Sequence, residues 1–257
     1  MTINGRASWL EGHAAVDLGT ARIRAVALGH PVIIDQPASV TSQDETRWPV
    51  RHGMVADTAT CARLVRRALR PVMVDAERPL RRVLLGVPVS ASPAERAAAA
   101  EAVHRAAGCP VAVVEEPLAA AVGCGLDVTD PRPQLLLDIG AGIIEVVVIR
   151  DAAVADAVAL QVPAQTQPVL PLHVQDRVTA MTAELLARLP SEQRASARER
   201  GLLLTGGGAC RPRLAARLCS RLGLTVSSAP EPAHATVRGL ARLCLSPLAA
   251  LVALPTA

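Results

Sequence analysis

The sequence has no Lys, no Phe and no Tyr, its only asparagine is Asn4, and its only aromatic side chains are Trp9 and Trp48. Each absence removes a class of chemistry. Without Lys there is no Walker-A phosphate loop, no Schiff-base enzyme and no kinase-type lysine on the phosphates. Base-stacking RNA modules and single-strand platforms have almost nothing to stack on. All 27 basic residues are Arg, as a GC-rich coding sequence tends to produce, so an Arg-rich patch is by default a solvated surface. The 6 Cys form no CxxC pair and the 6 His form no HxxxH or HxH, which points to a reducing compartment without structural zinc.

What is present is a chain of 257 residues, 51% hydrophobic and 19% charged, enough for one large or two small domains. The formal charge of +4 is mild and the arginines are scattered, so no nucleic-acid partner is expected. The opening Met1–Arg6 does not read as a secretory signal, and a cytoplasmic location is expected. The most apolar stretch, Leu243–Leu254, contains Pro247 and falls short of the ~20 residues that span a bilayer. It reads as a buried C-terminal helix, with a peripheral membrane hook as the alternative.

Strand-like runs occur at Ala14–Leu18, Ile23–Leu28, Val83–Val89, Val111–Val114, Leu135–Ile139, Ile144–Ile149 and Leu202–Thr205. Helix-like stretches alternate with them at Thr58–Leu69, Pro117–Val122, Gln175–Leu189 and Pro212–Leu222. A further helix opens with a capping box, Ser92-Pro93-Ala94-Glu95, and stops at Gly108. The alternation predicts an α/β fold. Two polar stretches, Thr41–Arg51 and Ala164–Pro171, read as short surface connections.

Three glycine turns carry chemistry. Asp17-Leu18-Gly19-Thr20 lies between two strand-like runs, and Asp138-Ile139-Gly140-Ala141-Gly142 does the same in the second half. Glycine lets the turn's N–H groups approach an anion, and a strand-end carboxylate can hold hydrated magnesium. One such turn is ordinary loop punctuation, whereas two in matching contexts are a signal. The third, Thr205-Gly206-Gly207-Gly208-Ala209, joins a strand to the helix near Pro212. It reads equally as a nucleotide-binding turn or a tight strand-to-helix connection.

The order of these motifs resembles the actin-like ATPase superfamily, and most closely the bacterial MreB rod-shape proteins. The two Asp-x-Gly turns are similar to the first and second phosphate loops, and Thr205–Ala209 to the adenosine loop. Pro49–Asp57, Gly86-Val87-Pro88 and Glu115–Ala121 are similar to linking segments of that family. Four features depart from it. Between Ser39 and Pro49 there is room only for a loop where the family has subdomain IB, and Ile149–Val174 is too short for subdomain IIB. Ile143 and Ile144 replace the threonines of the second loop, and Arg22 and Ile23 replace the Asn and Thr of the first.

The resemblance implies a reduced actin-like (ribonuclease H-like) fold of two facing α/β subdomains. Residues 1–134 would be subdomain IA with a truncated IB, and residues 135–257 subdomain IIA without IIB, the C-terminal segment packing back on the first. It implies weak binding of ATP and Mg2+, with Asp17 and Asp138 as metal residues. Gly19, Thr20, Ala21, Gly140, Ala141, Gly142, Gly206, Gly207, Gly208 and Ala209 would bind the nucleotide. Glu116 would orient the attacking water, Glu115 being the poorer candidate, although a carboxylate before a helix-opening proline is also an ordinary helix start. The implied function is cell shape or cell-wall morphogenesis with at most weak ATPase activity, through self-association or other MreB-type and cell-wall proteins. Peripheral contact with the inner face of the membrane goes with that role. The alternatives are an active filament-forming ATPase and a scaffold with relic loops.

Overall fold

Apolar runs too short for helices and buried on both faces become the strands of two sheets. The computed structural model describes residues 12–30, 32–42, 45–74, 79–163, 170–210 and 212–255. The first half contains β1 (His13–Leu18), β2 (Arg22–Ala27), β3 (Ile34–Pro37), β4 (Val40–Ser42), β5 (Glu45–Arg47), β6 (Val50–Arg51) and β7 (Met54–Val55). These are followed by α1 (Thr58–Val74), β8 (Arg82–Val87), α2 (Pro93–Ala107), β9 (Val111–Glu115) and α3 (Glu116–Gly123). The second half begins with β10 (Gln134–Ile139), β11 (Ile143–Arg150), β12 (Ala153–Gln161), α4 (Leu172–Arg188) and α5 (Ser191–Arg200). It closes with β13 (Leu202–Thr205), α6 (Pro212–Leu222), β14 (Val226–Ser228), α7 (Ala235–Cys244) and α8 (Ala249–Val252).

The two five-stranded sheets share one plan, with orders β3-β2-β1-β8-β9 and β12-β11-β10-β13-β14. In each, an antiparallel hairpin supplies the central strand, and the strands beyond it run parallel. The equivalent turns close with the same hydrogen bond, Gly19 N to Arg22 O at 3.1 Å and Gly140 N to Ile143 O at 2.9 Å. That shared hairpin is the physical content of the repeated Asp-x-Gly motif.

Strand alternation sorts the side chains into layers. Val16 and Leu85 face Cys61, Val65 and Leu69 of α1 and Val103 of α2. Leu135, Leu137 and Ile144 face Val178 and Leu185 of α4 and Leu218 of α6. Between the sheets, Ala15 and Leu84 share a core with Leu136 and Val147, filled by α3 and α7. These two helices touch through glycines: a Cβ on Gly239 would fall 1.6 Å from Ala119 O, and one on Gly123 1.9 Å from Ala235 O. Arg242 Nη1 then donates to the carbonyls of Val122 and Gly123 at the end of α3 (2.8 and 2.9 Å). α7 also lies against β1 and β8, and Leu254 N donates to Val113 O at 2.8 Å.

The expected capping box is formed, with Ser92 Oγ accepting from Glu95 N, and Gly108 ends α2 at φ 70°. Between β3 and β6 the described chain holds only the β4–β5 hairpin, residues 43–44 lying outside the described residues. The Thr41–Arg51 stretch is therefore hairpin rather than loop. Most of the Ala164–Pro171 connection and all of Met1–Arg6 also lie outside the described residues.

The expectation of one buried helix over Leu243–Leu254 is corrected. Proline cannot continue a helix from Cys244, so α7 ends there and a turn through Pro247 leads into α8. Leu245 and Leu251 are exposed by 46% and 74%. No helix among the described residues is long and apolar enough to cross a membrane.

Candidate functional site

Parallel strands bring the ends of β1, β10 and β13 to one edge of the molecule, where the turns meet across a cleft. The cleft opens to solvent, and the space within it and at its mouth is about 620 Å³. Asp17, Gly19, Thr20 and Ala21 line it from the first hairpin, Asp138, Gly140, Ala141 and Gly142 from the second, Gly206 and Gly207 from the third turn, and Glu116 from the start of α3. Gly208 and Ala209 do not line it. A Cβ on Gly208 would fall 2.2 Å from Ile139 Cγ2, and Ala209 is buried beneath the turn. Gly206, at φ +81°, is likewise pressed against Ile139 O, whereas Gly207 has open space before it. The triple glycine thus serves packing at Gly206 and Gly208 and lines the cleft at Gly206 and Gly207.

The turn between β6 and β7 ties the two halves together. Thr20 Oγ1 accepts from Gly53 N at 2.8 Å, and His52 Nδ1 lies 2.9 Å from Gly142 O. His52 and Gly53 both take positive φ, 52° and 76°. Gly142 is packed so closely that a Cβ there would fall 2.5 Å from Thr20 Oγ1.

The floor is acidic and its carboxylates are buried. Asp17, Asp138 and Glu116 are exposed by only 6%, 6% and 7%. Asp138 Oδ1 accepts from Thr205 Oγ1 at 2.7 Å, and Asp17 Oδ2 faces Arg24 Nη1 at 3.3 Å. Glu116 Oε1 is buried without a partner among the described residues. Burial raises the Asp17 carboxyl despite Arg24, and raises Asp138 to about 6 against the pull of Thr205. Glu116 is pushed well above the ordinary carboxylate range, by burial first and then by Asp17, Glu145 and Asp138. Burial and these neighbouring carboxylates thus disfavour the ionised form of Glu116, the form a general base needs. Glu115 also rises through burial but does not line the cleft.

The two isoleucines of the second turn have different places. Ile143 lines the cleft, where its apolar side chain offers nothing to a phosphate. Ile144, one residue on, points to the other face of β11 and is fully buried in the core beneath α4. Of the two residues that replace the threonines, only Ile143 therefore stands at the cleft. Arg24, Gly53, Ala233 and Thr236 line the cleft without having been singled out as site residues. Gly53 lay within a matched segment, but nothing around Arg24 or Thr236 in the sequence marks them.

The glycine cradles fit the phosphates of a nucleotide, although the amides of Gly19 and Gly140 are already engaged in closing their turns. The fit to magnesium is poor. Two carboxylates with phosphate oxygens and waters would suffice for that ion, but Asp17 is already held by a guanidinium. Among the described residues no group of three or more His, Cys, Asp or Glu is placed to hold a metal.

Residues 45–167 match the family described as MreB/Mbl protein. The cell shape-determining protein MreB of Escherichia coli strain K12 is 28% identical over 163 residues, covering 52% of this chain and 47% of that protein. Over that span the chain is similar to MreB. The cell shape-determining protein Mbl of Bacillus subtilis strain 168 is 24% identical over 157 residues, again 52% of this chain and 47% of the relative. The MreB-like chain thus spans about half the length of the curated relatives it matches. Among solved structures, MreB5 of Spiroplasma citri bound to ADP superposes with a TM-score of 0.77 at 17% identity, covering 88% of this chain and 94% of that one. A chain of the MamK double helical filament gives 0.77 at 15% identity, with 91% and 99% covered. The MreB-like chain therefore has the actin-like ATPase fold of two facing α/β subdomains.

Proposed function

We propose that this MreB-like chain is a cytoplasmic cell-shape protein that binds ADP or ATP weakly in its cleft and acts through association with its own copies, other MreB-type proteins or cell-wall proteins. One observation carries the reading: three glycine turns distant in sequence, together with Glu116, line a single cleft. The relatives' names supply the cell-shape role, and the solved neighbours include one bound to ADP and one in a filament. Residues 1–134 and 135–257 are read as the two working halves, the second lending α7 to the first.

In this reading the amides of Thr20, Ala21, Ala141 and Gly142 receive the phosphates, Gly19 and Gly140 close the turns that present them, and Gly206 and Gly207 face the nucleoside. Gly208 and Ala209 support that turn from beneath. Glu116 is read as the residue that orients a water attacking the terminal phosphate, and its burial disfavours the ionised form that would activate that water. Ile143 contributes no hydrogen bond, and the short chain above the cleft leaves it wet, which weakens electrostatic stabilisation. Hydrolysis is slower than binding alone would permit.

Thermal unfolding with increasing ADP tests the reading. A ligand at 100 times its dissociation constant adds about 2.7 kcal/mol, a readily measured rise in Tm. An unchanged Tm in millimolar ADP would leave the cleft as a relic and the chain as a scaffold.

A further inference from the structure

We propose that Arg24 takes the place of a divalent cation in this cleft, so that the chain binds a nucleoside di- or triphosphate without magnesium. This rests on the cleft being a nucleotide site. Arg24 lies on β2 directly opposite Asp17 in the hairpin register. Its Nη1 is 3.3 Å from Asp17 Oδ2 and its Nε 3.2 Å from Asp35 Oδ2, and the side chain is only 13% exposed while lining the cleft. Asp35, on β3, also holds Arg22, through Nε at 2.7 Å and through its own carbonyl to Nη2 at 3.0 Å. His234 Nε2 approaches the same carboxylate at 3.3 Å. Asp35 thus fixes two guanidiniums at the cleft wall.

The second hairpin provides the contrast. The residue opposite Asp138 is Glu145, whose Oε1 accepts from Ser90 N at 3.2 Å rather than facing a cation. Among the described residues, fixed positive charge at the cleft therefore comes from the first hairpin alone. Arg24 thus stands beside Asp17 in the cleft that Glu116 and Asp138 also line. Neutralising a buried carboxylate cluster beside the phosphates is the task a bound divalent ion would perform. A second cation placed among these carboxylates would meet Arg24 as a like charge. A guanidinium also brings a planar fork of donors that matches phosphate oxygens, so it can bind phosphate as well as balance charge.

Calorimetric titration of ADP into the purified chain, in EDTA and in millimolar magnesium, tests the proposal with no reference to turnover. Binding in EDTA is expected to be at least as tight as in magnesium. In Arg24→Leu, affinity in EDTA is expected to fall about ten-fold or more and to recover in part with magnesium, while Arg24→Lys keeps the magnesium-independent behaviour. Wild-type binding that appears only with magnesium would overturn the proposal and leave the nucleotide site standing. No heat in either buffer, from a chain shown to be folded by circular dichroism, would overturn both. Should Arg24→Leu fail to fold, the wild-type comparison and Arg24→Lys decide the matter, a shift of Arg24→Lys to dependence on magnesium counting against it.

Discussion

Glu145→Gln probes the electrostatics of the region around the cleft. Glu145 is 1% exposed, its Oε1 accepts from Ser90 N at 3.2 Å, and its Oε2 is buried without a partner among the described residues. Burial, with the nearby Asp138 charge adding to it, pushes the carboxyl from 4.5 to about 7 against the hydrogen bond from Ser90. Below the unfolded value both states hold the proton, and the group has no effect on stability. Between the two values the unfolded chain releases the proton while the folded chain keeps it, so stability falls as pH rises. Above the folded value both are ionised and the cost is constant at roughly 3 kcal/mol. Gln keeps the acceptor for Ser90 and does not titrate. Urea unfolding at pH 5 and pH 8 should show the wild type losing about 2 to 3 kcal/mol more than Glu145→Gln between the two pH values. Asp138 titrates in both proteins and largely cancels in the comparison. Equal losses in the two proteins would refute the account of Glu145 as a buried acid held neutral.

Three further outcomes are expected. Gly239→Ala should destabilise by about 2 to 4 kcal/mol in urea, because the overlap with the Ala119 carbonyl outweighs the roughly 1 kcal/mol that Ala gains in a helix; a midpoint equal to wild type would contradict the α3–α7 contact. Ile144→Thr should cost about 2 to 3 kcal/mol by burying a hydroxyl in the core, whereas Ile143→Thr should cost about 1 kcal/mol and strengthen ADP binding; equal effects at both positions would undo the assignment of their faces. Thr20→Val should leave the Gly53 amide unpaired at a cost of about 1 to 3 kcal/mol, and hydrogen exchange there should quicken; an unchanged rate would remove Thr20 from the tie between the halves.

Much of the fold and part of the cleft were legible because they are written locally. A short apolar run, an Asp-x-Gly turn and a second apolar run predict a hairpin, and β1–β2 and β10–β11 follow. α2 announced itself through Ser92, Glu95 and Gly108, each a residue whose side chain or backbone freedom acts within its own turn. α5 did not, because Ala197 is its only buried residue and it has no apolar face to read. β12 escaped for a related reason: it is an edge strand with every second position from Ala153 to Gln161 mostly turned to solvent or half-buried.

At the site the cause is different, because neighbours in sequence are not always neighbours in space. Ile143 and Ile144 stand side by side in the chain yet on opposite faces of one strand, so only the first meets the cleft. Gly206 and Gly208 belong to a glycine run, but their small size answers to Ile139, a residue from another strand. Arg24 is the converse case. Seven residues separate it from Asp17, and only the antiparallel register places it opposite that carboxylate. A motif that stops at the turn ends before the return strand has brought back its partner. The charge that sets the chemistry of a hairpin site can therefore sit outside any pattern centred on the glycine, and the second hairpin, carrying Glu145 at the matching position, shows that two turns alike in sequence need not be alike in charge.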